Sequence, residues 1–235
     1  MALILSLETA TTVCSVALHK DGELVALQEL HLQKSHSGYL AVLIKDIVNY
    51  SGHELKDVEM IALSKGPGSY TGLRIGTATA KGLCYALDIP LLAINTLEAM
   101  ANGVSKYYYN RDVLLCPMID ARRMEVYCLF TDSKLDSVGD TEAVVVDELS
   151  FKSQLETNEI IFFGDGAFKC QDVLKQYANA KFIADVHPSA LSVGISASER
   201  VKNSDLDFED LAYFEPYYLK DFQSKNFNPK AKNLI

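Results

Sequence analysis

From residue 3 to residue 103 the hydrophobic pattern changes period in a set order, and that order limits the fold more than any other feature of the chain. Leu3–Thr9 and Val13–His19 are apolar, β-rich runs parted by the short polar turn Ala10–Thr12. Asp21-Gly22 signals a two-residue hairpin, since both residues tolerate positive φ, and it leads into Leu24–Leu32. Three consecutive antiparallel strands are expected. The period then changes. Leu40, Leu43, Ile44, Ile47 and Val48 recur at helical spacing, with Ser35 as the expected cap and Ser51-Gly52 as the stop. Val58–Ser64 reads as a strand, Thr71–Leu87 as a helix, Leu91–Ile94 as a strand after Pro90, and a last helix runs from Thr96 to Asn102-Gly103.

The order β-β-β-α-β-α-β-α is that of the ribonuclease-H-like unit of actins, sugar kinases and heat-shock chaperones, an analogy of pattern. The second half starts the same way. Val113–Ile119 is a strand, Asp120-Ala121-Arg122-Arg123 a polar turn, and Glu125–Phe130 a strand. Glu8-Thr9-Ala10 and Asp120-Ala121 each place an acid and a small residue after the first strand, and each second strand carries a cysteine, Cys14 or Cys128. Ile160–Phe163, an amphipathic helix after Gly164-Asp165-Gly166, a helix over Pro188–Val201 with Pro188 at or near its first turn, and a short strand Tyr217–Leu219 complete the reading. The expected class is α/β, a duplicated two-lobed actin/sugar-kinase/heat-shock-chaperone-like fold. The lobes are expected at 1–108, with partner-binding helices, and 109–235, smaller and ending in a flexible tail. The division falls at the irregular Tyr107-Tyr108-Tyr109-Asn110.

Composition excludes several classes. The chain has 235 residues and is 49% hydrophobic, enough to bury one large core or two small ones. No apolar run is long enough to span a bilayer, and Met1–Leu7 has no basic residues before it, so a cytoplasmic protein with no membrane partner is expected. Cys14, Cys84, Cys116, Cys128 and Cys170 are scattered without a CxxC, which reads as buried reduced thiols. A net charge of −9 works against the counterion release that drives nucleic-acid binding, so tRNA is expected only as an indirect partner. The lysine-rich tail from Lys220 reads as a solvated terminus.

The sharpest local signal is the run from Gly66 to Gly76, Gly-Pro-Gly-Ser-Tyr-Thr-Gly-Leu-Arg-Ile-Gly, between a strand and a helix. Its glycines permit close backbone approach, and the free N–H groups of a helix start can hold an anion. It is not a Walker A loop, because no Gly-Lys-Ser/Thr follows. Within the helix, Gly72, Gly76 and Ala80 recur every four residues, and so do Ala78, Gly82 and Ala86. Two stripes of small residues read as two faces of close approach: one can pack on the chain's own sheet, and the other can pack within the chain as well or on another chain.

Gly66–Gly76, with Ile4–Ala10 and Pro216–Asp221, closely resembles the TsaB (YeaZ) family, whose members are needed to make threonylcarbamoyladenosine in tRNA. Tyr70 stands where the family usually has Phe, and Lys220 where it has Arg. The resemblance implies a non-catalytic subunit that supports a TsaD-like paralogue, with a small P-loop ATPase (TsaE-like) as further partner. It also implies pairing, with itself or with the paralogue, through the first-lobe helices. The interface residues expected on that basis are Gly66, Gly68, Thr71, Gly72, Arg74, Gly76, Ala78, Gly82 and Ala86. The metal-binding His-x-x-x-His of the paralogue is matched here by Thr96 and Met100, and its acidic pair after the first strand by Thr11 and Thr12. No catalytic residue, intrinsic cofactor or metal is therefore expected, and each of the five histidines reads as surface or half-buried.

Two other readings stay open on the residues. Glu8, Thr9, Asp120, Gly164, Asp165 and Gly166 can be the remnant of an ATP or ADP site, and an intact one would make the chain a kinase-like enzyme. More often such residues are turn and hydrogen-bond anchors. A metalloprotease-like hydrolase lacks its histidine pair. ATP or ADP is otherwise expected only within the complex.

Overall fold

The computed structural model describes residues 2–32 and 36–220; the expected Ser35 cap and the lysines of the tail beyond Lys220 lie outside the described residues. The first half forms β1 (Leu3–Glu8), β2 (Cys14–Lys20), β3 (Glu23–Leu30), α1 (His36–Tyr50), β4 (Met60–Gly66), α2 (Tyr70–Leu87), β5 (Leu91–Asn95) and α3 (Thr96–Ser105). Its sheet runs β3-β2-β1-β4-β5, antiparallel across the first three strands and parallel from β1 to β5. Asp21 and Gly22 both take positive φ, as the hairpin that pairs Lys20 with Glu23 requires.

The second half repeats this order. It forms β6 (Val113–Asp120), β7 (Glu125–Cys128), β8 (Thr131–Asp132), β9 (Glu142–Val145), α4 (Lys152–Thr157), β10 (Glu159–Phe163), α5 (Asp165–Leu174), β11 (Ala180–Ile183) and α6 (Ala190–Lys202). Read from β9, its sheet runs β9-β7-β6-β10-β11, the permutation of the first sheet, with β8 as an extra strand on β6. The fold class is the expected duplicated, two-lobed α/β fold.

Every residue of β1 is buried, because the strand is covered on both faces. Its period of two sends Leu3, Leu5 and Leu7 toward α1 and α2, and Ile4 toward α6. Each fully buried Leu or Ile adds about 1.5–3 kcal/mol relative to exposure. The covering helices are exchanged between the halves. Leu97, Met100 and Val104 of α3 pack with Leu115, Ile161 and Phe163 of the second sheet, whereas Val193 and Ala197 of α6 pack on Ile4, Ala62 and Ile94 of the first. A Cβ at Gly194 of α6 would fall 2.1 Å from His19 Nδ1, so only glycine lets α6 sit this close to β2. Residues 205–218 also return to the first sheet. Phe208 bridges Leu92 of β5, and Phe214 joins the first core. Material on both sides of the expected 108/109 division thus builds the first sheet's covering.

Four local expectations are corrected. Tyr217–Leu219 is not a strand: Tyr217 N donates to Lys65 O (2.8 Å), but the preceding Pro216 has no donor to continue a ladder. The helix expected from Pro188 starts at Ala190, with Ser189 as its cap and Pro188 directly before it. The strand expected over Glu125–Phe130 ends at Cys128. His19 and His36 are buried, not surface or half-buried; His36 Nε2 contacts Val13 O (3.2 Å), and burial pushes the His19 imidazole down to about 4. All five cysteines are buried and free.

Candidate functional site: the glycine turn and the α2 face

The glycines of the Gly66–Gly76 run are required by the chain's own backbone. A Cβ at Gly68 would fall 2.3 Å from Ala10 O, one at Gly72 2.1 Å from Thr9 O, and one at Gly76 2.3 Å from Thr9 Oγ1. Such distances are far inside van der Waals contact, so the α2 start lies directly on the turn that follows β1. Ser69 N donates to Ala10 O (2.6 Å), and the Ser69 hydroxyl caps α2 at Gly72 N (3.3 Å). Gly66, at φ +112°, sits 2.8 Å at its Cβ position from Tyr217 O. At the helix start, Ser69 N and Gly72 N already have partners, in Ala10 O and Ser69 Oγ. Gly66, Gly68, Gly72 and Gly76 belong to this internal contact and not to an outer surface. The sequence signal for close approach was the glycines themselves; the surface they approach was not visible in it.

The second stripe of α2 points the other way. Thr71, Arg74, Ala78, Gly82 and Ala86 are exposed, and a Cβ at Gly82 would meet nothing within 4 Å. Tyr85 extends this face at 86% exposure, and Tyr39 and Val42 of the adjoining α1 are each 49% exposed. Arg74 lies over the Tyr70 ring (4.7 Å) and donates to Tyr218 Oη (3.3 Å), which pins the 214–218 segment to the helix start.

The acids expected at a remnant nucleotide site occupy different surroundings. Glu8 and Thr9 are fully buried. Burial pushes the Glu8 carboxyl up to about 7, and hydrogen bonds from Ala10, at 2.5 Å, and Ser64 offset part of that rise. Asp120 is exposed and pairs with Lys169, while its backbone N–H donates to Asp165 Oδ1 (2.9 Å). A Cβ at Gly164 would fall 2.2 Å from Met118 O, and one at Gly166 2.9 Å from Ile119 C. This glycine turn lies on the end of β6 as the first lies beyond the end of β1. Asp120, Gly164, Asp165 and Gly166 are thus brought together. Between the two sheets, Asn95 Nδ2 donates to Thr141 Oγ1 (3.0 Å) beside a cavity of about 550 Å³ lined by Lys65, Glu98, Asp140 and Arg200. Among the described residues no group of three or more His, Cys, Asp or Glu is placed to hold a metal ion, and no helix is long and apolar enough to cross a membrane.

A family model described as "TsaD: tRNA N6-adenosine threonylcarbamoyltransferase" matches residues 30–225. The tRNA threonylcarbamoyladenosine biosynthesis protein TsaB of Escherichia coli (strain K12) is 37% identical over 151 residues, covering 62% of this chain and 63% of that protein. This chain belongs to the TsaB (YeaZ) branch of the TsaD family. The matched stretches span 51–63% of the length of the first curated TsaB relatives. YeaZ from Pseudomonas aeruginosa superposes with a TM-score of 0.76, covering 93% of this chain and all (100%) of that one; at 22% identity the likeness shows the fold alone. The activator of the 2-hydroxyisocaproyl-CoA dehydratase from Clostridium difficile, solved with bound ADPNP, shares the fold at a TM-score of 0.50 and 11% identity.

Within this TsaB-branch chain, the two positions that the resemblance sets against a histidine pair are built into packing. Thr96 Oγ1 and Ser64 Oγ share a buried hydrogen bond (2.6 Å) next to Glu8, and the Met100 methyl lies 2.9 Å from the Cβ position of Gly164. A hydroxyl tied to another hydroxyl and a thioether tied into the core are poor donors for a hard or borderline metal.

Proposed function

We propose that this chain acts in the biosynthesis of threonylcarbamoyladenosine in tRNA as a non-catalytic subunit that supports a TsaD-like enzyme in the cytoplasm. The observation that carries the reading is the division of α2. Its inner stripe is locked on the Thr9–Ala10 turn, while Ala78, Gly82 and Tyr85 present an outer face on which a foreign helix can approach closely. The packed Ser64–Thr96 pair and Met100 support the non-catalytic part. A second copy of the chain would use the same outer face across a two-fold axis, so homodimer and heterodimer compete. A TsaE-like ATPase joins the assembled pair, any nucleotide requirement belongs to that assembly, and tRNA is met through it.

Gly82→Leu tests the reading. The added side chain enters open space, so the melting temperature should stay within the shift of about 0.5 kcal/mol expected of a surface change. Affinity for the TsaD-like partner from the same cytosol should fall at least tenfold, by roughly 1.4 kcal/mol or more. A variant that binds normally places the interface elsewhere, and carbamoyl transfer by this chain alone would end the non-catalytic reading.

A further inference from the structure

Two imidazoles from opposite halves of the chain meet beside the start of α6. His31 directly follows β3, and His187 lies just before the α6 cap. Their ring centroids are 5.4 Å apart, with the planes at 75°. A zinc-class ion binds imidazole nitrogen at about 2.0–2.1 Å, which places the centroids of two rings sharing one ion about 5 Å apart at a tetrahedral angle. The pair therefore stands close to the spacing that a shared ion sets. Both rings are exposed, so an ion can reach them from solvent. The backbone that carries His187 is tied to the first sheet by two hydrogen bonds. Ser189 Oγ donates to Glu29 Oε1 (2.5 Å), and Ala190 N donates to Ser15 Oγ (2.7 Å).

The charge around the pair points to a cation. Glu29 Oε2 lies 3.8 Å from His31 Nε2, and Asp165 lies within electrostatic reach of His187. Among the described residues neither carboxylate forms an ion pair with a lysine or arginine. An aromatic contact alone would account for the ring spacing, but not for unbalanced carboxylates on both sides of it. Hard cations take oxygen donors and gain nothing from imidazole, whereas borderline divalent ions accept nitrogen and favour the nearby negative charge. Glu29 Oε1 is already held by Ser189, and among the described residues no third side chain is placed to join the two rings. Water therefore completes the coordination shell.

We infer that His31 and His187 form a two-imidazole site for a borderline divalent transition-metal ion, one that joins the two halves of the chain. The inference uses neither Thr96 nor Met100 and does not depend on the proposed role in tRNA modification, so either can fail without the other.

The test is calorimetric titration of the full, chelator-stripped chain with zinc ion, at about pH 7.5, where free imidazole is largely neutral. The parent should take up one equivalent. His31→Ala and His187→Ala should each bind at least about tenfold more weakly, since changes even in residues behind a ligand cost 10–100-fold. The control is His53→Ala, which removes another histidine beside a carboxylate, His53 with Asp57 (3.9 Å), but one without a second ring. It should bind within about twofold of the parent, the scatter of an uninvolved surface change. Zinc should also raise the melting temperature of the parent and of the control, but not of the two site variants, because an ion that binds only the folded chain stabilises it. Melting curves without zinc confirm that each variant is folded. Uptake by the parent weaker than about 1 mM would overturn the site. So would a loss confined to one of the two site variants, which would leave a single-histidine contact, or an equal loss in the His53→Ala control.

Discussion

Glu8, at the end of β1, is fully buried, whereas Asp120, at the same place on β6, keeps 46% of its side chain in solvent. The two halves share strand order, the acid after the first strand, and a glycine turn that starts a helix against that strand's end. They differ in what lies over the acid. In the first half, α2 comes down on Thr9–Ala10 through three glycines, and Ser64 with Thr96 closes the remaining side. In the second, Lys169 of α5 reaches back to Asp120, and water reaches it too. One topology thus produces a carboxyl that burial pushes up to about 7 and a carboxylate paired with a lysine. Sequence position in a repeat does not set an acid's chemistry; the packing of the following helix does.

Closing or opening the first turn should break that contrast most severely. Gly72→Ala drives a methyl into the Thr9 backbone, whose O lies 2.1 Å and whose C lies 3.3 Å from the Cβ position. Unfolding by denaturant should show a loss of about 3 kcal/mol or more, at or beyond the upper end of overpacking effects. A loss below about 1 kcal/mol would mean that α2 can slide off the β1–β2 turn.

The acids themselves can be compared by pH. The Glu8 carboxyl titrates at about 7 in the folded chain against 4.5 as its ordinary value, so the folded state holds the proton more tightly. Its contribution is fully present below about pH 4.5 and is lost as pH rises through 7. Glu8→Gln keeps the acceptor for Ala10 N–H and removes the titration. The stability of the parent relative to this variant should fall by roughly 2–3 kcal/mol between pH 4.5 and 8. His19, pushed down to about 4 from 6.5, produces the opposite slope below pH 6.5, and taking the difference between parent and variant cancels it. A flat difference curve would show that Glu8 ionises freely.

The smallest effect belongs to the second half. Lys169→Met removes the partner of a half-exposed acid, and such pairs are worth about 0–1 kcal/mol. A loss beyond about 2 kcal/mol would make Asp120 as dependent on its surroundings as Glu8, and the contrast would collapse.

The sequence showed the first half in nearly all its elements, because β1, β2, α1 and α2 bury continuous or strongly periodic faces. It did not show β9, α4 or β11, which are short and mostly half-covered, so their periods carry little hydrophobic contrast. Small residues at 72, 76, 78 and 82 marked α2 as a helix of close approaches, but only the structure separates the face that meets Thr9 from the face that meets solvent. The burial of His19 was illegible for a related reason. It depends on α6, whose Gly194 lies 175 positions beyond His19 in the chain.

The exchange of α3 and α6 also bears on how the protein is born. When a ribosome has released β5, the first sheet has α1 and α2 on one side, but the other side, with Ile4, Ala62 and Ile94, still waits for α6. Residues 190–202 leave the exit tunnel only after the whole second sheet has been synthesised. Until then the nascent first lobe displays a greasy, half-finished surface, the kind that holding chaperones seize and that neighbouring nascent chains stick to. Completion of either lobe is tied to the other, so the chain is expected to reach its native state in one late step rather than lobe by lobe during translation.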